Sequence, residues 1–167
     1  VVEKTVQLKN KFFVSTIIVL FCFLLDRISK VYIIDLITNN DGKDHYINEF
    51  INFTLIWNKG IAFGLLESET LFYKVMSILI LTIIIFLIYL IIKSNLKKEV
   101  FCLSIIVGGA LGNLYDRFYY NAVPDFIDIH YLGYHWFIFN VSDILITLAI
   151  LLLILFDIRL FKEKKND

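Results

Sequence analysis

Residues Asn121 to Ile144 read NAVPDFIDIHYLGYHWFIFNVSDI. The stretch lies between two apolar runs, about Val100 to Tyr119 and Val141 to Phe161, each long enough to cross a bilayer. A spanning helix needs roughly 20 apolar residues. The stretch therefore holds a loop, Asn121 to Asn140, and the start of the span that follows it. It sets Asp125 behind the only proline of the chain, Pro124, and Asp143 at the mouth of a helix.

The rest of the chain agrees with that reading. Of its 167 residues 59% are hydrophobic, and the mean hydropathy is +0.75. Soluble domains carry less apolar and more charged residue. Two further runs, about Phe12 to Leu36 and Thr70 to Ile92, are long enough to span. The expected fold is an all-α membrane protein of four transmembrane helices, in one domain covering 1–167. Between the first two spans, FINFTLIW (Phe50 to Trp57) is rich in β-branched and aromatic residues and reads as a strand of a small extracytoplasmic sheet. The stretch from Asn121 to Asn140 is a second loop on the same side. The first apolar run is too long, and too polar at its far end, for a cleaved signal peptide.

Basic residues set the orientation. Lys4, Lys9 and Lys11 precede the first span; Lys93, Lys97 and Lys98 separate the second from the third; Arg159, Lys162, Lys164 and Lys165 follow the fourth. The other two loops are acidic. The positive-inside rule then puts both termini in the cytoplasm and both long loops outside. Formal net charge is zero, so nothing suggests a nucleic-acid partner. Cys22 and Cys102 form no C-x-x-C pair and read as small buried hydrophobes.

Ionisable residues inside a span are expensive and mark function. Asp26 lies roughly 21 Å along the first span at 1.5 Å per residue, with Lys30 one turn further. Asn113, Asp116 and Arg117 lie roughly 20–25 Å up the third. Asp143 falls in the first turn of the fourth. Three spans thus deliver polar groups to one depth, near the outer leaflet. Asp26 and Lys30 are spaced to pair on one helix face. GGALGN, Gly108 to Asn113, suits close helix packing. Arg117 has two open roles, holding a buried carboxylate or gripping a substrate carbonyl. NVSD, Asn140 to Asp143, reads as a helix start with Asn140 as N-cap and an acid at the third helical position.

Taken together, Asp125 and Asp143 suggest an aspartic peptidase. Two carboxylates held close share a proton, so one activates water while the other polarises the scissile carbonyl. Asp143 is expected to favour the ionised form, because a helix N-terminus stabilises an anion. Three other readings compete. In a proton-coupled transporter, acids would form a path across the membrane rather than cluster at one depth. A scaffold explains the spans but not the convergence. Asp125, Asp128, His130 and His135 are metal-ligating types, but their spacing matches no common motif, and the two histidines read as interfacial side chains.

Five motifs, in order, give the chain a resemblance to the lipoprotein signal peptidase (signal peptidase II) family of bacterial membrane aspartic peptidases. They are DRISK (Asp26 to Lys30), NKGIAFG (Asn58 to Gly64), GGALGNLYDR (Gly108 to Arg117), VPDFID (Val123 to Asp128) and FNVSDI (Phe139 to Ile144). The resemblance implies that Asp125 and Asp143 are the catalytic dyad. It places Asn58, Gly60, Asn113, Asp116, Arg117, Asn140, Asp26 and Lys30 in or around the site. It implies cleavage of diacylglyceryl-modified prolipoproteins on the amino side of the lipidated cysteine, without metal or organic cofactor. Expected partners are those substrates, membrane lipid and globomycin-type inhibitors, acting on a monomer in the bacterial cytoplasmic membrane. Pro124 stands where the family usually has valine, Ser142 where it has alanine, Ile144 where it has serine or threonine, and Ile61 where alanine is common. None removes a catalytic group; Pro124 and Ser142, beside the two aspartates, bear on rate and inhibitor affinity.

Overall fold

The computed structural model describes residues 2–60 and 69–166. Residues 61–68, which include most of the NKGIAFG motif, lie outside the described part. The described residues form four helices, α1 (Val2–Asn39), α2 (Glu69–Lys93), α3 (Lys97–Tyr120) and α4 (Val141–Asn166). They also form four strands, β1 (His45–Asn48), β2 (Ile51–Asn58), β3 (Val123–Tyr131) and β4 (Tyr134–Phe139). Among the described residues, three helical stretches are long and apolar enough to cross a membrane: Asn10–Asn39, Tyr73–Lys93 and Lys97–Tyr120.

Packing places α3 at the centre of the helices. Its Val100, Leu103, Val107 and Leu114 pack with Ile84 and Ile91 of α2. Its Cys102 and Ile106 pack with Ala149 of α4. Both cysteines are free and buried, as small hydrophobes. The outward faces are as apolar as the core: Phe21, Ile28, Ile78, Ile85 and Leu155 are all at least half exposed. That distribution suits a hydrocarbon solvent, where burying apolar surface gains little and close packing draws helices together. Small residues allow that packing. A Cβ on Gly108 would stand 2.7 Å from the backbone oxygen of Val19 on α1. Lys11 of α1 closes the far end of α2, donating to the carbonyls of Ile92 at 2.8 Å and Ser94 at 3.0 Å.

The sheet is antiparallel throughout, in the order β1-β2-β3-β4. The strand expected at FINFTLIW is β2. The stretch from Asn121 to Asn140, expected as a loop, is instead a hairpin that completes the same sheet. Its turn is the pair Leu132 and Gly133, with φ of 49° and 81°. Positive φ at both central residues matches the twist of a two-residue hairpin. Pro124 pairs with Trp57 of β2 in a part of β3 that β4 does not reach, since pairing with β4 begins at Ile127. A missing N–H is tolerated on such an unpaired side. Phe126 of β3 packs on Ile33 and Ile37 of α1 and docks the sheet against the helices.

Candidate active site

The site is assembled from the helices outward. Asp26 and Lys30 sit one turn apart on α1 and are fully buried. Lys30 Nζ spends its three N–H groups on Asp26 Oδ2 at 2.8 Å, Asn113 Oδ1 at 2.7 Å and Asp116 Oδ2 at 2.7 Å. Arg27 takes the other oxygen of Asp116. Its guanidinium also lies 4.6 Å from the centre of the Tyr115 ring, a cation–π distance. Two anions and two cations therefore balance inside the helices. Gly112 is what lets α3 approach this cluster. A Cβ there would collide with Asp26 Oδ2.

The ion cluster holds the start of α4. Asp26 Oδ1 accepts the backbone N–H of Ser142 at 3.0 Å. Asn140 Oδ1 accepts the backbone N–H of Asp143 at 3.1 Å, while Asp143 Oδ2 accepts the backbone N–H of Asn140 at 3.2 Å. This is a reciprocal capping box built from Asn and Asp. It fixes the Asp143 side chain at the helix mouth, as NVSD predicts. Asp143 Oδ1 accepts from Asn113 Nδ2 at 3.0 Å. Asn113 thus links Lys30 to Asp143.

Asp125 comes from the sheet. It is 4% exposed. Its two oxygens accept from Asn140 Nδ2 at 2.6 Å and Asn58 Nδ2 at 2.8 Å. Asn58 is held in turn: its Oδ1 accepts the N–H of Gly60 at 2.7 Å. Gly60 has φ of 75°, a backbone form that suits glycine. The Asn140 side chain bonds the Asp125 carboxylate through its amide nitrogen and the Asp143 backbone N–H through its oxygen. Burial pushes the Asp125 carboxyl above the usual carboxylate range. The bonds from Asn58 and Asn140 work against that rise, and the Asp143 charge adds to it.

Asp26, Lys30, Asn58, Asn113, Asp116, Asp125, Asn140 and Asp143 therefore form one connected network. Arg117 stands apart from its acids. It donates to the carbonyl of Asn113 on its own helix at 3.0 Å. Asp116, its neighbour in sequence, is held by Lys30 and Arg27 instead. Two contributors escape a reading of the sequence. Arg27 lies inside the DRISK motif, but its spacing gives no sign of Asp116, 89 residues away. Ser142 contributes its backbone N–H, which no side-chain pattern reports. The four residues considered above as a metal set divide. Asp125 belongs to the amide-held pair, while Asp128, His130 and His135 cluster elsewhere on the sheet.

Comparison with known proteins gives this arrangement a context. Two solved structures described as bacterial membrane enzymes, determined in meso at 2.3 and 1.9 Å resolution, are similar. The first is 32% identical with a TM-score of 0.67, covering 92% of this chain and 91% of its own. The second is 32% identical with a TM-score of 0.68, covering 85% and 90%. The fold is thus that of a bacterial membrane enzyme. Residues 18–159 match the family described as signal peptidase (SPase) II. The lipoprotein signal peptidase of Pelagibacter ubique (strain HTCC1062) is 46% identical over 164 residues, 97% of either chain. That of Clostridium tetani (strain Massachusetts / E88) is 40% identical, covering 86% of this chain and 91% of the relative. The chain belongs to the signal peptidase II family and is a membrane peptidase.

Proposed function

We propose that the chain removes signal peptides from diacylglyceryl-modified prolipoproteins, cutting on the amino side of the lipidated cysteine, with Asp125 and Asp143 as its catalytic dyad. The observation that carries this reading is Asn140, which bonds both carboxylates, Asp125 through its side-chain amide and Asp143 through its backbone N–H. The relatives' names supply the substrate class.

The two acids differ in surroundings, and so in role. Asp125 is buried and its carboxyl is pushed up, so it holds the shared proton. Asp143 sits on a helix N-terminus and accepts from Asn113 and from the Asn140 backbone, a setting for an anion. Asp143 takes a proton from water as the oxygen attacks the scissile carbonyl carbon. Asp125 gives its proton to the carbonyl oxygen. When the C–N bond breaks, Asp143 passes its proton to the leaving nitrogen. One hydroxyl proton of the tetrahedral intermediate returns to Asp125, and the pair again shares one proton. Arg117, bonded among the described residues to a backbone carbonyl of its own helix by one nitrogen, offers its other donors to a substrate carbonyl.

In this reading α4 is a fourth span, both termini are cytoplasmic, and the sheet lies at the outer surface. The site then sits near the outer leaflet, where a lipidated precursor presents its bond beside water. The chain acts as a monomer, without a catalytic metal, and takes globomycin-type inhibitors at the same site.

The test uses purified protein in detergent and a diacylglyceryl-modified prolipoprotein. Asp125→Asn and Asp143→Asn should each lower kcat at least about a thousandfold. Wild-type-like cleavage by either variant would remove the dyad assignment. Cleavage of the unlipidated precursor at an equal rate would remove the substrate assignment.

A further inference from the structure

The far end of the sheet carries a second cluster of side chains, separate from the carboxylate pair. Asp128 and His130 are two residues apart on β3; the register with β4 shifts between them, and their side chains still meet. His135 of β4 lies directly opposite His130 in the strand register. Asp128 is 2% exposed. Its oxygens lie 2.8 and 3.0 Å from Nδ1 of His135, and Oδ2 lies 3.6 Å from Nδ1 of His130. The two imidazole rings stack with centres 5.3 Å apart. Among the described residues Nδ1 of His130 is buried with no hydrogen-bond partner. Buried polar atoms are nearly always satisfied, so this nitrogen is open to a further partner.

We propose that Asp128, His130 and His135 bind a divalent transition metal, zinc by preference. One potential ligand atom from each residue lies within 4.8 Å of the others. In a tetrahedral zinc site with bonds of about 2.0–2.1 Å, ligand atoms stand roughly 3.4 Å apart. The two carboxylate–imidazole separations, 3.6 and 2.8 Å, bracket that spacing. Two imidazoles and one carboxylate suit zinc, copper or nickel, and disfavour magnesium and calcium, which take oxygen. His130 and His135 also line a cavity of about 370 Å³ with Phe50, Tyr131, Tyr134 and Trp136. That space leaves room for a fourth ligand, water or a small donor.

The ion would join neighbouring strands. It ties β4 to β3, and the N–H of His130 already holds the carbonyl of Phe50 in the turn between β1 and β2, at 2.9 Å. Since β3 also carries Asp125, a metal here steadies the sheet that positions that acid. Its role is that of a clamp, apart from the chemistry of the dyad.

The test is a calorimetric titration of tag-free, chelator-stripped protein in detergent with Zn²⁺, and separately with Mg²⁺. Parent protein is compared with His135→Ala and His45→Ala. His135 is exposed on an edge strand, so its removal leaves the fold intact, and His45 is the control on β1. One Zn²⁺ should bind per chain and raise the unfolding midpoint, with no competition from Mg²⁺. His135→Ala should weaken binding at least about tenfold and abolish the shift in midpoint, while His45→Ala leaves both unchanged. Equal Zn²⁺ uptake by parent and His135→Ala, loss of uptake in His45→Ala, or displacement by Mg²⁺ would overturn the site.

Discussion

Asp26 and Asp116 lie buried beside Lys30 and Arg27, whereas Asp125 and Asp143 lie beside the amides of Asn58, Asn113 and Asn140. The two regions are joined through Asn113 and through the start of α4, yet they hold their carboxylates by opposite means. A cation at hydrogen-bond distance balances an acid's charge and fixes it in place. A neutral amide orients an acid and leaves its proton free to move. The first region is therefore suited to binding helices together, and the second to chemistry. Desolvation explains why both are needed. Charges inside a membrane protein are costly unless paired, so the paired set is where α1, α3 and α4 can meet without an orphaned charge.

The largest expected effect is on the amide-held pair, where Asp125→Asn or Asp143→Asn should abolish cleavage while the protein stays folded. The next strikes the other region. Lys30→Met removes three buried bonds at once and leaves two carboxylates facing each other. It should destabilise the protein by about 3–5 kcal/mol, read as a fall in the thermal midpoint in detergent. A variant with normal stability and no activity would break the comparison, because the ion cluster would then belong to the chemistry.

A smaller effect sharpens it. The bond from Asn58 favours the ionised form of Asp125, so Asn58→Ala should push that carboxyl further above the usual carboxylate range. The sign follows: a group with a raised value keeps its proton up to higher pH, so the alkaline limb of kcat/KM moves upward. An alkaline limb that stays put, or moves down, would mean that Asp125 is not the proton holder. Smallest is Ser142→Ala. The Ser142 hydroxyl is buried with no hydrogen-bond partner among the described residues. Its removal should leave stability unchanged or raise it by at most about 1 kcal/mol, whereas its backbone N–H bond to Asp26 survives. A clear loss of stability would show that the hydroxyl holds the paired region.

Much of the helical part was legible, because apolar length and basic flanks are local properties. The capping box at Asn140 and Asp143 was legible for the same reason: both partners lie within one turn. The hairpin after Asn121 was not. Its turn uses Leu132 and Gly133, a weaker signal than Asn-Gly or Asp-Gly, and Pro124 argues against a strand unless one knows that β4 stops short of it. The partner of Asp116 was equally hidden. Arg117 follows it directly, but successive residues on a helix point about 100° apart, and only the packing of α1 on α3 brings Arg27 and Lys30 to it.

The sequence by itself determined that this is a membrane peptidase of four apolar runs with polar groups at one level. Five motifs and a hydropathy pattern are enough for that, since each is read within a few turns of chain. Tertiary structure alone decided which acid has which partner. It paired Asp116 with α1, hung Asp125 on Asn58 and Asn140, and gathered Asp128, His130 and His135 across two strands. Those contacts join residues distant in sequence. They depend on where glycines such as Gly112 let helices close and on how the strands pair in register.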